Sequence, residues 1–337
     1  MEPQRIQEYR GADAETFERD IRTRYAPAVL RGVVSDWPVV ARARESANAF
    51  ARYLAAFDNG ATVDVLRMPP SARGRIFYSE GLSGFNFTHE HMPITVVLER
   101  LEKYARQQKP PGLAAQSALI ADCIPGFAAE NKLTILDAGV APRIWIGNAV
   151  VTPAHFDESS NVACVVAGHR RFTLFPPEQI ANLYIGPLGY APTGTPVSLV
   201  SFREPDLARF PRFAEALEAA QVADLEPGDA IYIPALWWHH VESFDTHNAL
   251  VNYWWRPGDH DPKASALEAL LLGILNLRHL PPEQREAWRA IFDHYVFRAD
   301  EDASRHIPVN KRGVLGPISP DLARQVREFL VTQLKRS

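Results

Sequence analysis

Apolar positions along the chain change their spacing twice. Residues 14–56 carry a helical pattern, broken at APAVLRGVVSDWP by a short strand and turn and resumed by SANAFARYLAAF, which keeps its apolar residues on one face. ATVDVLRMP and RIFYSEG read as strands. ITVVLERLEKYARQQ then predicts an amphipathic helix that Pro110 and Pro111 end, because proline has no N–H for the helical ladder. From about residue 143 the runs shorten and turn β-rich between Gly and Pro: RIWIGNAVVT, NVACVVAG, RRFTLFPP, AIYIPAL, HHVESF and ALVNYWW. Strands at that spacing without helices between them imply an antiparallel barrel or sandwich.

After RPGDHDP the helical period returns. DPKASALEALLLGILNL opens on an Asp-Pro pair suited to a helix start, PPEQREAWRAIFDHYVF spaces Trp288, Ile291, Phe292, Tyr295 and Val296 helically, and SPDLARQVREFLVTQL ends the chain the same way. The pattern predicts a mainly β fold with flanking helices. It divides into a mixed α/β region at 1–140 that packs on the core, a β core at 141–257 and a helical region at 258–337. Repeats and low-complexity linkers are absent from the sequence.

Composition narrows the class. At 337 residues with 46% hydrophobic content the chain can bury a large core, and 36 basic against 40 acidic residues give a net charge of −4 without a long block of one sign. That balance offers no broad field for nucleic acid or a membrane surface. No window approaches the roughly 20 apolar residues that span a bilayer, and the first twenty residues lack the apolar stretch of a secretory signal, so the cytoplasm is the expected compartment. Cys123 and Cys164 form neither a disulfide framework nor a CxxC spacing and are expected to be buried thiols.

The chemistry concentrates in two places. TPAHFDESSN holds His155 and Asp157 two residues apart, so on a strand both project to one face; IPALWWHHVES, some 80 residues later, supplies His239 and His240. Two imidazoles and one carboxylate on one side of an ion leave its other positions open, as non-haem Fe(II) oxygenases require, although an isolated HxD recurs by chance and the same ligands also suit zinc. Alternation puts His239, Val241 and Ser243 on one face of their strand and His240 and Glu242 on the other.

These segments together, TPAHFDESSNVACVVAGHRRFTLFPPEQIANLY, LEPGDAIYIPALWWHHVES and LVNYWW, resemble the cupin-type, JmjC-related Fe(II)/2-oxoglutarate-dependent oxygenases, and are similar to the asparaginyl hydroxylase of that family that inhibits hypoxia-inducible factor. The likeness is close over 141–257 and looser at APAVLRGVVSDWP. It implies a double-stranded β-helix, the cupin or jelly-roll core. It implies Fe(II) held by His155, Asp157 and His239, and 2-oxoglutarate as co-substrate with its distal carboxylate on Arg170. Thr152 is implied as a hydroxyl donor, with Asn161 and Asn252 as polar groups near the metal. The similar hydroxylase has lysine at the Arg170 position and tyrosine where Ala114 falls; arginine, with two parallel donors, can replace both. Beyond the metal site no catalytic residue is implied.

Around this set, His240 is expected to be a barrel-wall histidine bonded to backbone or a neighbour, and Trp237 and Trp238 to pack in the core. Val241 and Trp254 are expected to face the pocket. Arg171 and His169 are expected on the solvated side, and His89 and His91 to be too isolated to build a site. The readings left are a 2-oxoglutarate oxygenase, a zinc-dependent hydrolase on the same ligands, or a non-enzymatic cupin-like binding protein. For the oxygenase the expected substrate is a protein or peptide, with tRNA not excluded. The apolar faces of the last helices, Leu267, Leu270, Leu271, Ile274 and Leu275 among them, suggest a homodimer.

Overall fold

The computed structural model describes residues 4–256, 265–297 and 303–335. The chain divides into two compact units between residues 260 and 261. In the first, the strands are β1 (Gln4–Arg5), β2 (Gln7–Arg10), β3 (Ala28–Arg31), β4 (Val63–Met68), β5 (Thr88–Met92), β6 (Gly112–Leu119) and β7 (Pro142–Gly147). They continue with β8 (Val151–His155), β9 (Ser160–Ala167), β10 (Arg170–Phe175), β11 (Gln221–Leu225), β12 (Ala230–Ile233), β13 (Trp238–Ser243) and β14 (Asn248–Trp255). A five-stranded sheet runs β1-β11-β10-β13-β8 and a nine-stranded sheet runs β2-β3-β12-β9-β14-β7-β6-β4-β5. This is the jelly-roll arrangement of a cupin core.

Burial explains the order. Every residue of β9 is buried, as expected of a strand lying between two others and covered on both faces. Between the sheets lies an apolar layer that includes Ala163, Val165, Phe172, Leu174, Ile231, Ile233, Val241 and Leu250. The outer face of the large sheet carries a bigger core, built with the helices Pro38–Glu45, Ala47–Ala55 and Ile94–Ala105. Behind the small sheet, Phe175, Trp238, Leu183, Val200 and Phe213 form a third layer. Gly168 makes the tight turn from β9 into β10: its φ is +69°, and a side chain there would strike the Asn248 carboxamide at 2.2 Å.

Consecutive strands β1 and β2 join different sheets, both by parallel pairing, to β11 and β3 respectively. Arg31 of β3 bonds the carboxylate of Asp229 at 2.6 Å and the Asp224 carbonyl of β11 at 2.9 Å, so one guanidinium links the two sheets at that end.

The helical pattern over 14–56 breaks at APAVLRGVVSDWP as expected: Tyr25, with φ +48°, ends the first helical stretch and β3 follows. Two expectations change. No boundary falls between 140 and 141: β6 pairs with β7, and β4 and β5 extend the same sheet, with the helices of that segment packed on its outer face. RIFYSEG is not a strand, because the Asn86 side chain takes the place of a ladder partner, accepting from the Phe77 N–H at 3.0 Å and donating to the Arg75 carbonyl at 2.9 Å.

Asn148 binds the two halves of this sheet together. It is buried, accepts from the Leu113 N–H at 2.9 Å and donates to the Pro111 carbonyl at 2.8 Å. Asn148→Ala is expected to lower the unfolding free energy by about 1–3 kcal/mol, the cost of stranding two buried backbone groups. Denaturant unfolding followed through the tryptophans should show the loss; a separate early transition confined to residues before 141 would contradict a continuous sheet.

Candidate metal centre

The antiparallel pairing of β8 with β13 sets His155 directly opposite His239, with a bulge before Val241 and Thr152 come into register. Asp157 lies past the end of β8, in a loop held by its own carbonyl, which accepts from the Leu236 N–H at 2.8 Å. Between them Phe156 turns the other way and meets Trp238 edge-on at 5.0 Å. One ligand atom each from His155, Asp157 and His239 falls within 4.8 Å of the others. The two imidazoles stand 4.2 Å apart between centroids, and His239 Nε2 is 3.7 Å from Asp157 Oδ2.

Hydrogen bonds aim the lone pairs. His155 Nδ1 lies 2.9 Å from the Pro153 carbonyl and His239 Nδ1 lies 3.0 Å from the Trp237 carbonyl. A carbonyl only accepts, so each Nδ1 carries the proton and each Nε2 is left as a bare donor to a metal. Burial, reinforced by His239 and opposed by Asp157, pushes His155 down to about 4, keeping it neutral near pH 7. Asp157 Oδ2 accepts from the Trp254 indole N–H at 3.1 Å, which fixes the carboxylate's rotation.

These residues open on a cavity of about 120 Å³ between the sheets, lined also by Thr152, Asn161, Arg170, Val241, Asn252 and Trp254. Arg170 is buried and its Nε has no partner; the Asn161 Oδ1 is likewise buried and unpaired. Burial without a carboxylate to offset it pushes Arg170 down to about 10. Asn252 Oδ1 accepts from the Trp145 indole at 2.9 Å, so its acceptor is committed to the wall.

Gln116, Trp145 and Thr193 also line the cavity and carried no signal in the sequence. Ala114 does not line the cavity and sits in a small cluster with Leu66, Met68 and Ile76; beyond it β6 is irregular between Ala115 and Ala118, where Ser117 adopts φ +44°. The bulge could not be read from GLAAQS.

His240 faces away from the cavity and is buried, as alternation requires, but it lacks the expected bond at Nδ1; its ring stacks on Phe202 at 4.1 Å instead. Trp237 and Trp238 are buried, with indoles donating to the Tyr25 and Pro177 carbonyls. Arg171 pairs with Asp224, His169 with Asp245 and His89 with Asp64, all toward solvent. Cys123 and Cys164 are buried and free.

The fold defines a cupin core of the JmjC type, and His155, Asp157 and His239 in it could hold a metal ion. The chain belongs to the family described as cupin-like domain, which matches residues 14–261. It is 33% identical over 167 residues to HSPB1-associated protein 1 of Bos taurus, covering 48% of this chain and 32% of that protein. It is 35% identical over 127 residues to lysine-specific demethylase JMJ31 of Arabidopsis thaliana, covering 36% of this chain and 22% of that one. A 25% identical match to tRNA wybutosine-synthesizing protein 5 of Danio rerio covers 90% of this chain and 94% of that protein. The alignments to HSPB1-associated protein 1 and to the demethylase thus span a third or less of those proteins' lengths.

Two buried histidines give the metal-free protein a defined pH dependence. His155 is pushed down to about 4 and His240 to about 3, both chiefly by burial, whereas in the unfolded chain each titrates near about 6.5. Below that value the unfolded state binds more protons, so stability is full above about pH 6.5 and declines as pH falls from there toward 4. The expected slope is about 1.4 kcal/mol per pH unit for each histidine. Denaturant titrations of metal-free protein at pH 7 and pH 5 measure it; equal stability at both would show that neither histidine is held neutral.

Proposed function

We propose that this protein is an Fe(II)- and 2-oxoglutarate-dependent oxygenase. The observation that carries the reading is one cavity holding both a three-ligand cluster and, on the adjoining strand β10, a buried cation with no counter-ion. Two imidazoles and a carboxylate on one side suit a ferrous ion with open positions opposite. When bound, iron and 2-oxoglutarate supply dioxygen activation and the oxidative decarboxylation that yields succinate.

The chain's own residues then have distinct tasks. His155, Asp157 and His239 hold the ion, and the Trp254 indole keeps Asp157 turned toward it. Arg170 sits opposite Ser243, four residues along β13 from His239, or about 13 Å at the strand rise; arginine and a five-carbon diacid bridge that span together. Its guanidinium grips the distal carboxylate through two N–H donors, and the Thr152 hydroxyl donates to the co-substrate. Phe172, Ile233, Val241 and Leu250 keep that part of the cavity dry. A zinc hydrolase would use the same three ligands but leaves Arg170 without a task, and a binding protein leaves the paired Nδ1 tethers without one.

The substrate in this reading is a macromolecule. A protein or peptide side chain accords with the relative named a lysine-specific demethylase. A tRNA base is favoured by a separate observation, the match with the tRNA wybutosine-synthesizing protein, which covers 90% of this chain against 36% for the demethylase.

The C-terminal unit supports a homodimer. Its helices Ala266–Leu277, Pro282–Phe292 and Pro320–Leu334 have no buried residues, and Leu270, Leu275, Trp288, Ile291 and Phe329 are each more than 40% exposed. A surface so apolar calls for a partner, and a second copy is the simplest symmetric one.

Two experiments test these readings. Anaerobic Fe(II)-loaded protein should gain a visible charge-transfer band on adding 2-oxoglutarate, and Arg170→Ala should weaken that binding by about 2–5 kcal/mol, as expected for removing one side of a desolvated charge pair. No band with iron fully loaded would sink the oxygenase reading. Light scattering should report a dimer for the full chain and a monomer or insoluble product after removal of residues 262–337; a soluble truncated dimer would place the interface elsewhere.

A further inference from the structure

Burial pulls a second arginine, Arg75, down to about 10 with no carboxylate opposing it. Unlike Arg170 it lies outside the sandwich, on the opposite face of the strands that carry the metal ligands. Its guanidinium rests 3.5 Å over the Phe77 ring, and Nη2 donates to the Leu199 and Val200 carbonyls at 3.4 and 3.0 Å; it makes no ion pair. Other arginines of this unit do make ion pairs, among them Arg31 with Asp229, Arg171 with Asp224 and Arg256 with Glu158.

Arg75 lines a cavity of about 110 Å³ with Arg73, Arg203, Glu204, Glu242 and His240. Arg73 reaches Glu204 only at 4.0 Å, both being exposed, and Arg203 makes no hydrogen bond or ion pair. The His240 ring, 4% exposed and stacked on Phe202, forms part of the inner wall. The cavity adjoins a larger groove of about 680 Å³ that shares Arg73, Arg203 and Glu242 with it, so a ligand has a way in.

The geometry points to an oxyanion site here, built for a phosphate group that keeps a proton. Three arginines against two glutamates leave the lining cationic and offer N–H donors to the anion's oxygens. Glu242 is the wrong neighbour for a fully deprotonated anion, but a P–OH group can donate to its carboxylate. Inorganic phosphate, which keeps at least one proton near neutral pH, satisfies both demands, whereas sulfate, with no proton there, meets the Glu242 carboxylate unrelieved. The volume accommodates one such group. The site shares β8 and β13 with the metal centre: Val151 and His240 line it, next in sequence to Thr152 and His239.

The test uses the full-length protein without metal, titrated calorimetrically with inorganic phosphate and, at matched ionic strength, with sulfate. Phosphate is expected to bind and sulfate not to. Arg203→Ala, a change at an exposed position that leaves the fold intact, and Arg75→Met should each weaken phosphate binding by about tenfold or more, the scale of one charge-assisted bond. Glu242→Gln should admit sulfate. Absence of phosphate heat, equal response to both anions, or phosphate binding that Arg203→Ala leaves unchanged, as it would be at Arg170, would each overturn the assignment.

Discussion

His155 and His239 face each other because β8 and β13 pair antiparallel in one register, and nearly everything at the site follows from that pairing. A slip of one residue would turn His239 outward, bring His240 in and reverse Val241 with it. The register is held from both sides: inward by Phe172 and Val241 in the layer between the sheets, outward by Trp238 packed with Phe175 and Phe213. The carbonyls of Pro153 and Trp237, each two residues before the histidine it orients, belong to the same two stretches of chain. Strand pairing therefore sets ligand position, and local backbone sets ligand tautomer.

The polar groups inside the sandwich are arranged unevenly. Trp145 and Trp254 spend their N–H groups on Asn252 and Asp157, so those two side chains are held in place by the wall. Arg170 and Asn161 keep buried atoms unpaired, a condition a folded protein tolerates where a ligand completes the bonding. The division separates groups that are already positioned from groups that await something to bind.

Much of this was legible from residue patterns. The alternation through WHHVES and the uninterrupted apolar run of NVACVVA each have one physical reading once strands are granted. What the pattern hid depends on departures from regularity. Asp157, expected on one strand with His155, works from a loop beyond it, and Asn86 replaces a ladder at Arg75–Phe77 with its own carboxamide. The joining of β6 to β7 was hidden for another reason: some twenty residues separate them, and sheet pairing at that distance leaves no periodic trace.

The strap formed by β1 and β2 bears on how the sandwich moves. Because seven consecutive residues, Gln4–Arg10, pass from one sheet to the other, and Arg31 crosses the same gap, the sheets are sutured along that margin as the covers of a book are by its spine. At the other margin β7 and β8 also belong to different sheets, and only the three residues 148–150 join them, so the sandwich is tied on both sides and parting of the sheets is limited where Thr152, His155 and Trp145 stand.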